Sequence, residues 1–385
     1  MRTNILFVSH SAELNGAELM LLQTLQKINK QRFWPICVFP RKGPLRDEAR
    51  NIGLETEIVP MKWWITERQK IWKQPASWLW NVRSISKLSR IIEERNITLV
   101  FSNSAVVFSG ALAARKRRIP HIWAVHEILH GKKPLLLFLC GNRLLAKIIY
   151  SLSSRVIVNS QATQRVFRND EKVRIIHNGL EVKPLESYSE ITLRKELGLE
   201  EKDIVLCVVG KICKEKGQRE VILAMASLLQ KYPRLKLLLI GAVKSSCYFR
   251  RLKKLINRLK LERHVIFAGY RRDVLRLLKV VDLLVVASAV ESFGRSIIEA
   301  MAVGTPVLAV ATGGIHEIVT EGENGYLVQS RNPDAIGEAL ALVLDNPTKR
   351  IEVSRRGVLT VTKKFSLNEK IEKIEKVIDE CLEEF

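Results

Sequence analysis

The sequence contains no run of about 18 or more apolar residues free of charge, so neither a membrane-spanning helix nor a secretory signal is supported. Its first residues, "MRTNILFVSH", read instead as a buried strand. There is no C-x-x-C pair and no His cluster beside a cysteine. The six cysteines, Cys37, Cys140, Cys207, Cys213, Cys247 and Cys381, are scattered, which argues against zinc and against a disulfide framework and points to a cytosolic protein. No solenoid-type repeat or low-complexity tract occurs. Acidic residues are scarce: 40 Asp and Glu face 63 Lys and Arg, a net charge of +23. The shortage is uneven, because residues 1–183 hold 30 of the basic but only 13 of the acidic side chains. Such a field attracts nucleic acid, anionic lipid or a polyanionic substrate without choosing among them.

What is present is a series of short apolar runs between helix-like stretches. "NILFVSH", "WPICVFP", "LVFSNS", "HIWAVHE" and "VIVNSQ" come first, then "IVLCVVGKI", "LKLLLIGA", "HVIFAG", "DLLVVAS" and "TPVLAVAT". Continuous rather than alternating apolarity predicts parallel sheets covered on both faces. The series breaks near 178, where "HNGLEVKPLESYSEITLRKELGLEEKD" is polar and holds an Asn-Gly turn and Pro184. The chain therefore divides into an N-terminal Rossmann-like domain over 1–183, a second over 184–363, and a charged amphipathic C-terminal helix over 364–385. Ligands in doubly wound folds sit beyond the carboxyl ends of the strands, so the cleft between the lobes is the expected site.

The segment "VVASAVESFGRSIIEAMAVGTPVLAVATGG" has a readable physical design. A strand ends at Ser288, a loop carries Glu291, Gly294 lets backbone approach a ligand, and a helix begins whose free N–H groups seat a phosphate. Glu299 can accept two hydrogen bonds from a ribose-like diol and Glu291 can hold another polyol. Alternatively Glu291 caps the helix and Glu299 is a solvated face residue, although an unpaired carboxylate within "SIIEAMAV" is costly.

This segment resembles the signature of retaining glycosyltransferases of family 4, of the GT-B fold, whose E-x7-E motif is met by Glu291 and Glu299. "VVGKICKEKGQREVILAMASL" resembles the family's phosphate-binding stretch, "NGAELML" its first glycine-rich loop, and "HNGLE" its interlobe turn. The resemblance implies two Rossmann-like domains facing across a cleft, with the C-terminal helix packing back across the lobes, as is common in this fold. It implies that Glu299 binds the donor ribose, that Glu291 faces the transferred sugar, and that backbone amides of Phe293, Gly294 and Arg295 touch sugar and phosphate. Lys211 and Lys216, beside Gly210 and Gly217, would neutralise the diphosphate leaving group without a metal ion; Lys211 stands where arginine is usual and lacks its bidentate fork. Gly16 and Ala17 would turn backbone N–H groups toward the diphosphate, and "AGYRRDV" around Tyr270 resembles the base-contacting region. His10 and His126 both follow apolar strands and geometry alone does not choose between them; the resemblance favours His126, near the donor sugar. It further implies transfer on one face of the sugar, the departing diphosphate deprotonating the acceptor, with no nucleophilic residue and no cofactor beyond a UDP- or GDP-sugar donor.

Five of the seven tryptophans, Trp63, Trp64, Trp72, Trp78 and Trp80, lie among Lys62, Arg68, Lys70, Lys73 and Arg83, and "AARKRRIPH" and "HGKKPLLLFLCGNRLLAKIIY" follow. This mixture suits the headgroup layer of an anionic membrane, and with it a lipid-linked or polysaccharide acceptor at the cytoplasmic face of the membrane. The tryptophans equally suit a core, an acceptor cleft or carbohydrate stacking. Competing functions are a nucleotide-sugar epimerase of the same fold, a nucleic-acid binder, for which no helix-turn-helix, zinc or RNP-like signature exists, and a non-catalytic scaffold.

Overall fold

The computed structural model describes residues 2–66, 68–131, 136–168, 170–181 and 189–385; the expected boundary at 183/184, Lys132, Lys133 and the side chain of Arg68 lie outside the described residues. The chain forms two compact units. Unit 1 comprises Met1–Gly179 with Leu367–Phe385, and unit 2 is Leu180–Ser366.

Unit 1 is built on seven strands: β1 (Thr3–Ser9), β2 (Phe33–Phe39), β3 (Glu55–Ile58), β4 (Leu99–Asn103), β5 (His121–Val125), β6 (Arg155–Val158) and β7 (Val173–Ile175). They lie in the order β3-β2-β1-β4-β5-β6-β7, all parallel, with Leu6 beside Ile36 on one side and Val100 on the other. Side chains alternate along a strand, so each strand feeds two cores. Leu6, Val8, Val100, Trp123 and Val156 enter one, Ile5, Phe7, Phe101, Ile122 and Ile157 the other. The helix Leu367–Glu383 covers the second core with Ile374, Val377, Ile378 and Cys381, and its outer face pairs Asp379 with Arg32 at 2.6 Å and Glu380 with Arg174 at 3.2 Å.

Unit 2 repeats the plan with β8 (Ile204–Val209), β9 (Leu235–Ile240), β10 (Val265–Gly269), β11 (Leu283–Val286), β12 (Val307–Val310) and β13 (Tyr326–Val328), in the parallel order β10-β9-β8-β11-β12-β13. Val205, Cys207, Leu284 and Val307 enter one core, Leu206, Val208, Leu283 and Leu308 the other. Both units are therefore doubly wound α/β layers. The order of strands reverses between β1 and β4 in unit 1 and between β8 and β11 in unit 2. In each sheet the chain diverges at that point and leaves a crevice beyond the strand ends, where ligands of this architecture bind.

Candidate active site

In unit 2, the ends of β8 and β11 carry the sequence-predicted cations and carboxylates side by side. After β8 come Gly210 and the exposed Lys211, whose carbonyl accepts from Gln218 Nε2 at 2.9 Å. A short turn, Lys214–Lys216, leads to Gly217 at φ +76°, where an added Cβ would stand 2.1 Å from the Ala287 carbonyl oxygen. Only glycine permits that approach. It lets the turn dock on the β11 end, where Ala289 N–H donates to the Glu215 carbonyl at 2.7 Å. Arg331 fastens the junction, its Nε donating to the Ala287 carbonyl at 2.7 Å and its Nη2 to the Lys214 carbonyl at 2.6 Å and to Glu220 at 3.2 Å.

The docked turn delivers Lys216 Nζ to Glu291 Oε2 at 2.7 Å. Burial works to lower the Lys216 pKa, but the charge and hydrogen bond of Glu291 prevail and hold it above the usual lysine value. The Glu291 carbonyl accepts from Gly314 N–H at 2.9 Å, which fixes its loop from the other side. Glu291 does not cap the next helix: the cap is Gly294, at φ +107°, and no side chain bonds there. The helix Arg295–Ala302 then turns Glu299 back onto Arg295, with Nε and Oε1 2.7 Å apart. Glu299 is not a solvated face residue, since its side chain is only 12% exposed. Burial pushes its pKa up and Arg295 only partly offsets this. Phe293 is buried and packs edge-on against Phe365, so its ring belongs to the core and only its backbone is left for a ligand. Tyr270, directly after β10, stands half exposed.

In unit 1 the site residues converge on Asn103 at the end of β4. Its Nδ2 donates to the carbonyl of Ala17, at the start of the helix Gly16–Lys27, at 3.3 Å. That leaves Oδ1 facing His126 Nε2 at 2.8 Å. An amide oxygen only accepts, so the ring carries its proton on Nε2 and offers Nδ1 as an acceptor. Burial, reinforced electrostatically by Lys370 and His10, lowers the His126 pKa to about 3, so the ring is neutral. Glu127 anchors the turn by accepting from the backbone N–H groups of His126 and Ala105, both at 3.1 Å. His10 joins the same network: its Nδ1 lies 3.0 Å from the Asn103 carbonyl and its Nε2 3.4 Å from the buried Glu18, to which Asn15 also donates at 3.0 Å. Beneath these groups lies a cavity of about 30 Å³ lined by Thr24, Asn103, His126, Asn159, Asn178 and Lys370. Lys370, from the helix Leu367–Glu383, is 7% exposed and reaches Thr24 Oγ1 at 3.5 Å.

Asn103, Glu18, Glu127, Arg331 and Lys370 are the residues that reading by motif omits. Lys370 had a signal: it occupies an inward slot of the series Leu367, Ile371, Ile374, Ile378, Cys381, where an apolar residue is expected.

Among known proteins, residues 14–183 match the model for Glycosyltransferase Family 4 and residues 189–358 the model for Glycosyl transferases group 1. An uncharacterized glycosyltransferase of Methanocaldococcus jannaschii is 29% identical over 67% of this chain and 69% of its own length. The N-acetyl-alpha-D-glucosaminyl L-malate synthase of Bacillus anthracis is 24% identical over 69% and 70%. The crystal structure of Anabaena HepE, solved with UDP-glucose, superposes with a TM-score of 0.82 at 25% identity, over 98% of this chain and all of that one.

Proposed function

The chain belongs to the GT-B glycosyltransferases of the family 4 and group 1 type, and we propose that it is a retaining hexosyltransferase that moves a hexose from a UDP- or GDP-sugar to a lipid-linked or polysaccharide acceptor. The observation that carries this reading is the pair of ion pairs, Lys216–Glu291 and Arg295–Glu299, at the switch point of unit 2. A nucleoside diphosphate sugar answers both. Its diphosphate takes the ammonium groups of Lys211 and Lys216, and its ribose diol donates two hydrogen bonds to the Glu299 carboxylate. The backbone N–H groups at the start of the helix Arg295–Ala302 receive the sugar side of the phosphate. Tyr270 lies on the base side.

In the proposed reaction the anomeric carbon–oxygen bond to the diphosphate breaks as the acceptor oxygen bonds to the same carbon from the same face. The acceptor's proton passes to the departing phosphate oxygen. No side chain forms a bond to the sugar; Lys211 and Lys216 stabilise the charge that develops on the leaving group, and positioning supplies the rest. Glu291, held by Lys216, orients the transferred sugar. His126 of unit 1, neutral with Nδ1 as acceptor, is prepared to accept a hydrogen bond from a sugar hydroxyl. No resident metal enters this scheme. The solved HepE complexes with UDP and with UDP-glucose support a uridine donor and a hexose. The enzyme works at the cytoplasmic face of a membrane, in peripheral contact with it.

The test is nucleoside diphosphate release from a panel of UDP-, GDP- and ADP-hexoses, comparing the wild type with Glu299→Ala. Release from one donor, abolished in the variant, supports the reading. Silence across the panel with a bacterial lipid extract supplied as acceptor overturns it, and so does a glycosyl adduct trapped on Glu291.

A further inference from the structure

The first half of the helix Gln74–Glu94 of unit 1 has its faces reversed, whereas its second half sends Leu88, Ile91 and Ile92 into the core. Helical spacing puts Gln74, Asn81 and Ser84 on the inner side, and all three are buried. Trp72, just before the helix, and Leu79 and Val82 on its opposite side are 71%, 75% and 60% exposed. Each of these three polar side chains is hydrogen-bonded to backbone. Gln74 Nε2 donates to the Leu137 carbonyl at 2.7 Å and its Oε1 accepts from Leu139 N–H at 2.9 Å. Asn81 bonds both the N–H and the carbonyl of Lys62, at 2.9 and 2.7 Å, and Ser84 Oγ donates to the Pro60 carbonyl at 2.6 Å. The inner face of this half thus works as a clamp on two neighbouring segments, and the apolar face is what the half shows outward.

That outward face continues onto the adjoining segment. Leu139, fixed by Gln74, is 45% exposed, and Leu144 on the helix Asn142–Leu152 is 43% exposed. The same helix sends Arg143 and Lys147 into a groove of about 440 Å³ that Phe167 and Arg168 complete. Lys73 lies over the Trp72 ring at 4.9 Å and Lys62 over the Trp80 ring at 5.0 Å. Residues 68–92 contain six basic and no acidic side chains, and residues 128–169 contain seven and none. An apolar strip bordered by mainly basic side chains, with Asp170 on Tyr150 beside the groove and Glu93 and Glu94 at the helix end, is the pattern of a surface that dips into an interface of the opposite sign.

We propose that this face, with Trp72, Leu79 and Val82 as its apolar ridge and the Arg143–Lys147–Arg168 groove as its headgroup seat, is the surface on which the protein docks onto an anionic lipid bilayer. It gives the membrane contact of the proposed function a location and rests on that reading for its purpose. A second copy of the chain fits less well, since an isologous contact through this face sets one basic border against another. Nucleic acid has no use for the aliphatic Leu79 and Val82, which acyl chains accept.

The experiment is flotation of the full chain with vesicles of phosphatidylglycerol and phosphatidylcholine, and with phosphatidylcholine alone, at low and high salt. The wild type is expected to float with the anionic vesicles only, and less at high salt. Leu79→Ser/Val82→Ser leaves the charge unchanged and is expected to weaken binding at least about tenfold, as is Arg143→Gln/Lys147→Gln/Arg168→Gln. Wild type that ignores anionic vesicles, or a Leu79→Ser/Val82→Ser variant that binds as tightly as the wild type, overturns the proposal. So does a dimer in light scattering that the same variant abolishes, which assigns the face to a second copy. Nucleoside diphosphate release measured without vesicles separates the two readings: its absence alongside intact flotation sinks the enzymatic one and leaves the docking face standing.

Discussion

In unit 2 the carboxylates Glu291 and Glu299 are each held by a cation, Lys216 and Arg295; in unit 1 the ring of His126 is neutral and is held by the amide of Asn103. Asn103 is set in turn by a backbone carbonyl. The difference teaches what each place is prepared for. Ion pairs keep charges available for a charged ligand while sparing the empty site an isolated buried charge. A neutral ring with a fixed tautomer is suited to an uncharged, hydroxyl-bearing ligand, and its behaviour does not change over ordinary pH.

The largest effects are expected where ions are removed. Lys216→Met deletes the cation proposed to face the leaving group and leaves Glu291 without its partner, and donor cleavage is expected to fall by about 10² to 10³ in kcat. Glu299→Ala removes two charge-assisted hydrogen bonds and is expected to act through KM by about 10²-fold or more. If both act on kcat alone, the division of labour within unit 2 is wrong. Next comes the acid response of unit 1. His121, buried against Ser102 Oγ at 2.9 Å, shares the fate of His126: burial lowers its pKa to about 3. The unfolded chain binds these two protons below about pH 6.5 while the folded chain refuses them until about pH 3, so stability is lost as pH falls through that window and is unaffected above it. Urea unfolding at pH 7.5 and 5.5 is expected to differ by about 1.4 kcal/mol for each ring, about 3 kcal/mol in all. Equal midpoints would erase the contrast.

Asn103→Ala frees the His126 tautomer and is expected to lower activity about tenfold while the ring stays neutral. The smallest and sharpest test is Lys370→Met. Loss of the cation raises the His126 pKa, but burial, the larger cause, keeps it below the ordinary histidine value. Ring resonances in NMR report this without any substrate: in the wild type neither His121 nor His126 titrates between pH 8 and 5, and in the variant the acid-side titration of His126 shifts upward while that of His121 does not.

The sheets were legible because their central strands are continuous apolar runs. The strands that no apolar run announces lie at the edges of the first sheet: "ETEI" of β3 and "VRI" of β7 are short and partly polar. Edge strands bury one flank, so little of their sequence is committed to the core. Glu291, Glu299, Lys211 and Lys216 were legible from spacing around a glycine turn. Their partners were not, because spacing along a chain does not say which cation a carboxylate meets when two loops dock. Asn103 became visible only with the strand order, which puts the end of β4 beside that of β1. The tryptophans divide in a way hydropathy does not predict: Trp64 is core and stacks on Trp123 at 5.9 Å, while Trp72 is exposed. The first half of the helix that follows hides its polar side because backbone groups of two neighbouring segments need partners, a demand no sequence period records.

Unit 1 is discontinuous, and its last element is read from the message after all of unit 2. Residues 1–179 emerge first with the Thr24–Asn103–His126 cavity open on the side that Lys370 later closes, and with Ile5, Phe7 and Phe101 lacking the cover of Ile374, Val377 and Ile378. Unit 2 is complete in sequence at Ser366, before that cover exists. During synthesis the later-made domain is thus complete in sequence first, and the earlier one waits, with the part of its second core beneath Ile374, Val377, Ile378 and Cys381 uncovered, for residues 367–385 to arrive.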